Sequence, residues 1–560
     1  MMKTPTSPTS AKRGVKVLLP RGAKSAILTL KGTRGSHLTN IPPIMESGVQ
    51  EMEVSSIRPP YAYSRIIYDS NKAEYLYETW EPRLTDREKE TLALIKDSLN
   101  RTLTYDPEKL KEKDKEQYLR EAIDSFIKSR GMRMDELSRE KVVYYALRDF
   151  VGYGPIDCLM NDSRIEDVSC DGTGVPIFVF HQKFESIKTS VVFAEEEGLN
   201  SFVVGLGQRC GKQISVSMPI LDGTSREGHR VQATYAREVT TRGSSFTIRR
   251  YREEPFTPTD LVSFKTASPE MVAYIWIAVE HGRSMVICGG TASGKTATLN
   301  ASAIFIRPGA KIVSMEDTRE INIPHENWIP GVVRSGSGER GPDGKAIGEI
   351  DMFDLVRAAL RQRPNYILVG EVRGKETYTL FQAMATGHPA MSTMHADSVK
   401  SMVSRLENPP INTPRILLTA LDFVIIQNHV RVGQSEVRRI IQLVEVVAFE
   451  PETNELITNT VYEWDPATDS HIYRGHSFLF DEIMEMKNMT HDEMDQEFQR
   501  RVDVVNYCFQ KGIRNYRDIS RYVVMYYNQP EQTIKKIRDE MGWVRDQPQE
   551  APAEEGELGD

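Results

Sequence analysis

A lysine and a hydroxyl placed directly after a glycine-bracketed turn suit one kind of chemistry, the holding of a polyphosphate. In CGGTASGKTATLN, residues 288–300, Gly289 and Gly294 bracket four residues and are followed by Lys295 and Thr296. Amides of such a loop wrap phosphate oxygens, the lysine reaches the β and γ phosphates, and the hydroxyl meets magnesium. The expected nucleotide-binding residues are therefore Gly289, Gly290, Thr291, Ala292, Ser293, Gly294, Lys295, Thr296 and Ala297.

Three apolar runs beyond the loop end in residues that could act on such a ligand. Residues 311–315 stop at Glu316 and Asp317, residues 366–369 stop at Gly370 and Glu371, and residues 390–394 stop at His395. In open α/β sheets ligands sit beyond the carboxyl ends of strands, so these tips and the loop read as one site. Glu371 stands where nucleotide hydrolases place a magnesium-organising carboxylate, with Gly370 in place of the usual aspartate. Glu316 is the better candidate to orient or deprotonate an attacking water, although the division of labour between the two glutamates stays open. His395 and His388 are candidates to sense the γ phosphate or a neighbouring subunit, or are hydrogen-bonded structural residues.

Arginines form a second set. Arg357 and Arg361 are four apart on one helical face, with Arg363 just before Pro364; together with Arg373 they are candidate interface or sensor residues, or a solvated face. In SFTIRR the strand period puts Phe246 and Ile248 on one face and Thr247 and Arg249 on the other. Arg249 could therefore complete a site as an arginine finger does, the alternative being ordinary surface arginines.

The elements that must position these groups are legible in outline. Residues 285–288 suit a buried strand and residues 297–305 a helix, so the loop feeds a helix N-terminus. Charged, periodic text over 85–148 predicts amphipathic helices, and short β-rich runs over 150–250 predict a separate α/β domain. The expected organisation is a disordered or partner-binding segment over 1–55, a mainly helical module over 56–149, the α/β domain over 150–250 and a linker over 251–265. A nucleotide-binding domain over 266–475, a helical region over 476–545 and an acidic tail over 546–560 follow, with residues 1–14 and 547–560 reading as disordered.

Composition narrows the function. A net charge of −8 argues against a chain that lives mainly on nucleic acid. Five scattered cysteines without a C-x-x-C pair suggest neither disulfides nor a zinc module and fit a reducing cytoplasm. The longest apolar run, residues 271–279, is about half of the ~18 residues a membrane span needs, so membrane association is expected to be peripheral.

GGTASGKTA, IVSMEDTREI, LRQRPNYILVGEVRGKE and ATGHPAMSTMHADS stand in that order, with GYGPIDCLMNDSRIEDVSCDG, PILDGTSREGHRVQATYAREV and SFTIRRYREEPFT upstream. This order resembles the Walker A, Asp box, Walker B and His box of the ATPases that drive type II secretion, type IV pili and archaella, in their archaeal branch. The resemblance implies an α/β fold, with a RecA-like P-loop core and a separate α/β N-terminal domain flanked by helical modules. It implies ATP and Mg2+ as ligands, Lys295 and Thr296 on phosphate and magnesium, Glu316 activating water, Glu371 supporting the metal, and His395 reading the γ phosphate. Arg230 and Arg249 would be phosphate contacts from the N-terminal domain. It further implies a homo-hexamer that works with a polytopic membrane platform protein and accessory cytoplasmic motor proteins, at the inner face of the cytoplasmic membrane. A conjugation-type or DNA-handling translocase is the alternative.

Overall fold

In the computed structural model, residues 36–102, 112–334, 336–341, 345–433 and 435–542 are described; the expected tails, 1–14 and 546–560, lie outside them. The chain divides into two compact units, one formed by residues 1–207, 213–221 and 232–249, the other by 208–212, 222–231 and 250–560.

The first unit opens with an antiparallel meander of β1 (Val49–Arg58), β2 (Ala62–Asp69) and β3 (Glu74–Trp80). Helices α1 (Asp86–Thr102), α2 (Glu112–Ser129) and α3 (Glu136–Phe150) then bury Leu92, Ile95, Ile123, Val142 and Leu147 in one apolar cluster. The short α4 (Asp157–Asn161) leads into β4 (Ile165–Cys170), β5 (Pro176–His181), β6 (Glu185–Val192) and α5 (Glu196–Arg209). Strands β7 (Ile220–Thr224), β8 (Arg230–Thr234) and β9 (Ser245–Arg249) complete a nine-stranded sheet of order β1-β2-β3-β6-β5-β4-β9-β8-β7.

The meander corrects two expectations, because a strand lies across the boundary of the segment 1–55 and the module 56–149 begins with β-structure. Periodicity misleads in β1, where apolar Met52 and Val54 are exposed while Glu53 turns inward to pair with Arg164 and Lys183.

Beyond its short segments 208–212 and 222–231, the second unit runs on from residue 250, with α6 (Pro258–Ser263) and α7 (Pro269–Glu280) as its next helices. A linker was expected over 251–265, but Thr257 and Asp260 close a capping box and Pro258 sits in the first turn, where its fixed φ favours the helix. Leu261 and Val262 are buried in the same core as α7, which removes the linker's second half.

Alternation of strand and helix follows: β10 (Met285–Cys288), α8 (Lys295–Ala303), β11 (Ile312–Glu316), β12 (Trp328–Val332), the small hairpin β13 (Ser337–Arg340) and β14 (Ala346–Ile347), and α9 (Met352–Leu360). Next come β15 (Tyr366–Val369), α10 (Glu376–Ala385), β16 (Ala390–Met394) and α11 (Val399–Glu407). Strands β17 (Phe423–Val432), β18 (Ser435–Glu450), β19 (Glu455–Asp465) and β20 (Ser470–Tyr473) finish a second sheet of order β12-β11-β15-β16-β10-β17-β18-β19-β20. Pairing is parallel from β12 through β17 and antiparallel beyond. Every residue of β10, β11, β15 and β16 is buried, as expected of parallel strands covered on both faces.

Four helices end the described chain: α12 (Phe478–Lys487), α13 (His491–Gln510), α14 (Tyr516–Asn528) and α15 (Pro530–Met541). They are no loose appendage, since Val504, Tyr507, Ile519 and Ile534 share one core with Trp276 and Phe305.

Candidate functional site

Parallel register places the ends of β10, β16, β15 and β11 side by side on one edge of the sheet. The loop 289–294 leaves β10 and enters α8, whose N-cap, Gly294, supplies no side-chain hydrogen bond to the first-turn amides. Those amides and the helix dipole are what an anion needs. A Cβ at Gly289 would stand 2.0 Å from the Gln427 carbonyl oxygen, so the loop's tight start demands glycine. Lys295 is buried and its ammonium donates to the carbonyls of Gly289 at 3.0 Å and Gly290 at 2.6 Å.

Glu316 closes β11 and is only 2% exposed. One carboxylate oxygen, Oε1, accepts from the amides of Glu320 and Ile321, each at 2.8 Å, and the other, Oε2, is buried without a hydrogen-bond partner. Burial pushes the carboxyl up to about 7 against the opposing pull of those two amides. A Cβ at position 370 would come 3.1 Å from Glu316 Cγ. A side chain at position 370 would therefore crowd the buried Glu316 carboxyl of the adjoining strand tip.

Glu371 and His395 follow β15 and β16 and meet at 3.3 Å between Oε1 and Nε2. Burial first, and then the Lys295 ammonium, hold the His395 imidazole below its ordinary value. Arg373 pairs with Asp317 beside the Glu316 tip. The structure thus brings together the loop, Glu316, Glu371, His395 and Arg373.

Other expected residues lie elsewhere. His388 precedes β16 and His395 follows it, so the two sit at opposite ends of a strand about 13 Å long at 3.3 Å per residue. Arg361 and Arg363 lie between the end of α9 and the start of β15, at that same far edge, and both are exposed. This placement sets the three apart from the strand tips that carry the loop in the same chain. Arg357 is exposed on α9 with its guanidinium over the Phe353 ring at 5.5 Å. In β9 Phe246 and Ile248 are buried while Arg249 is exposed, its Nε 3.5 Å from Asp167 Oδ1. Arg230 opens β8 with Nε 3.8 Å from Asp222 Oδ1.

Sequence reasoning missed Gln427, His429 and Arg438, which touch the loop from β17 and β18. The signal was present, since the apolar run 423–426 also stops at a polar residue, Gln427, in a strand parallel to β10.

The residues fit a nucleotide and its magnesium. Buried polar atoms without hydrogen-bond partners, Ser293 Oγ and Glu316 Oε2, sit in the loop and at the neighbouring tip, beside uncapped helix amides and a buried ammonium.

A parallel sheet that delivers these groups to one edge defines an α/β protein with a RecA-like P-loop core. Residues 228–546, more than half of the chain, match the family described as type II/IV secretion system protein, and the chain belongs to that family. The uncharacterized protein MJ0900 of Methanocaldococcus jannaschii is 36% identical over 393 residues, covering 70% of this chain and 70% of that relative. A putative conjugal transfer protein of Mycobacterium tuberculosis is 30% identical over 227 residues, 39% of this chain and 62% of its own length. Among solved structures, the ATPase DotB of Yersinia pseudotuberculosis aligns over 68% of this chain and 93% of its own, with 16% identity and a TM-score of 0.38.

Proposed function

We propose that this chain is a mechanochemical ATP hydrolase that powers assembly or rotation of a type IV pilus-like filament, archaellum or type II-like secretion system at the cytoplasmic membrane. One observation carries the reading: the phosphate loop, a buried carboxyl with an unpartnered oxygen, and the Glu371–His395 pair are the tips of adjacent parallel strands. Lys295 and the amides opening α8 hold the β and γ phosphates. Thr296 and Glu371 would hold Mg2+, which when bound neutralises charge on the phosphates. Glu316 orients a water and takes its proton as the water oxygen bonds to the γ phosphorus; the bond from that phosphorus to the bridging oxygen breaks, leaving ADP and phosphate. His395, tied to Glu371, reads the γ phosphate, and Arg230, Arg249, Arg357 and Arg373 are candidate phosphate or interface contacts.

Hexameric assembly, a polytopic membrane platform protein, accessory cytoplasmic motor proteins and a cytoplasmic location at the membrane's inner face belong to the same proposal. Among the described residues no helix is long and apolar enough to cross a membrane.

The test is phosphate release from ATP. Lys295→Ala is expected to abolish nucleotide binding or turnover, and Glu371→Gln to keep binding while stopping turnover; full activity in either variant overturns the site. A conjugation-type or DNA-handling translocase is the second reading, favoured by the likeness to the conjugal transfer protein and opposed by the net charge of −8. DNA affinity that falls steeply with salt would select it.

A further inference from the structure

Behind the phosphate loop, on the side away from the acidic tips, three side chains of β17 and β18 converge on it. Gln427 is buried, and its amide spans two parts of the site: Nε2 donates to the Ser293 carbonyl at 2.8 Å and Oε1 accepts from the Thr298 hydroxyl of α8 at 2.6 Å. The β17–β18 register slips between Ile426 and Gln427. Such a bulge re-aims a side chain next to a site, and here it accompanies the close approach of the Gln427 backbone to Gly289.

Two residues on, His429 and Arg438 are cross-strand partners, so their side chains share one face of the hairpin. Both reach the same acceptor, the Ala292 carbonyl, through His429 Nε2 at 2.7 Å and Arg438 Nε at 2.9 Å. Ala292 itself has φ +57°, the left-handed region that costs a residue with a Cβ about 1 kcal/mol or more. The Arg438 stem also passes Gly294, where a Cβ would stand 3.3 Å from Cδ.

We infer that Gln427, His429 and Arg438 are positioning residues that clamp the phosphate loop in its anion-binding form, with the Ala292 carbonyl pinned outward so that loop amides face the ligand. The inference rests on the nucleotide reading above. A left-handed turn is disfavoured for alanine, and the pair of donors on the Ala292 carbonyl offsets that cost. The clamp acts through the loop and touches no reacting atom.

Binding of a fluorescent ATP analogue to the full chain tests this, in parallel with thermal unfolding without nucleotide. His429→Ala and Arg438→Ala together are expected to raise Kd about tenfold, the equivalent of one charge-assisted hydrogen bond. The nucleotide-free unfolding midpoint is expected to stay in place, because His429 is exposed and Arg438 only half-buried, and Arg438→Lys alone should bind close to wild type. An unchanged Kd in the double variant overturns the clamp. So does a raised Kd that comes with a lowered nucleotide-free midpoint and no recovery with lysine, which marks general structural damage. A wild-type chain that does not bind the analogue overturns the nucleotide reading, and the clamp with it.

Discussion

With one oxygen tied to the Glu320 and Ile321 amides and the other buried without a partner, Glu316 holds its proton up to about pH 7. Only the ionised form can accept a proton from water, and that form is populated above this value. Turnover is therefore expected to rise as pH increases through about 7 and then level off, and Glu316→Gln should give a low, flat profile. A stopped assay of phosphate release between pH 5.5 and 9 reads this, using about 10²-fold or more as the expected loss in the variant. The pairing of a buried glutamate with Gly370 could not be read from sequence. The motif shows only that an aspartate is missing, whereas the crowding at 3.1 Å comes from a strand some fifty residues earlier.

At the scale of elements, the C-terminal helices are tied to the core by one buried cation. The Arg501 guanidinium of α13 lies 5.5 Å from the Trp276 ring and 5.0 Å from the Tyr526 ring and is paired with Glu280 and Glu497. Trp276 stacks on Phe305 at 4.9 Å, and the Tyr527 hydroxyl bridges Trp276 Nε1 to the Phe305 carbonyl. This joint reaches the segment just beyond α8. Removing the arginine leaves Glu280, itself 9% exposed at its side chain, facing a cavity without its main partner. Arg501→Ala is expected to destabilise the second unit by about 3 kcal/mol, read as an earlier urea transition with Trp fluorescence as the probe. Legibility differs among elements for physical reasons. β10, β11, β15 and β16 were readable because both faces of each strand are buried, so each run is mostly apolar, broken only by small hydroxyl residues in β11 and β16, and stops where the sheet edge begins. β1 was not, because its inward positions hold charges that pair across the sheet, and α6 was not, because a proline that starts a helix reads like one that breaks it.

At the scale of the whole molecule, the family was legible from four motifs in order, and the family match over residues 228–546 agrees. The filament, substrate or partner of the proposed motor would be chosen by surfaces that recognise other molecules, and such surfaces have no internal periodicity to read. A ring motor makes one demand that any such surface must meet: its sites are completed between subunits. The measurement that tests this most directly is ATP turnover per chain over a wide range of protein concentration, with Lys295→Ala as the blank and the assembly state sized at each point. Turnover per chain that climbs with concentration, in step with assembly, is the predicted result. Turnover that stays constant while the protein sizes as a monomer would contradict the account.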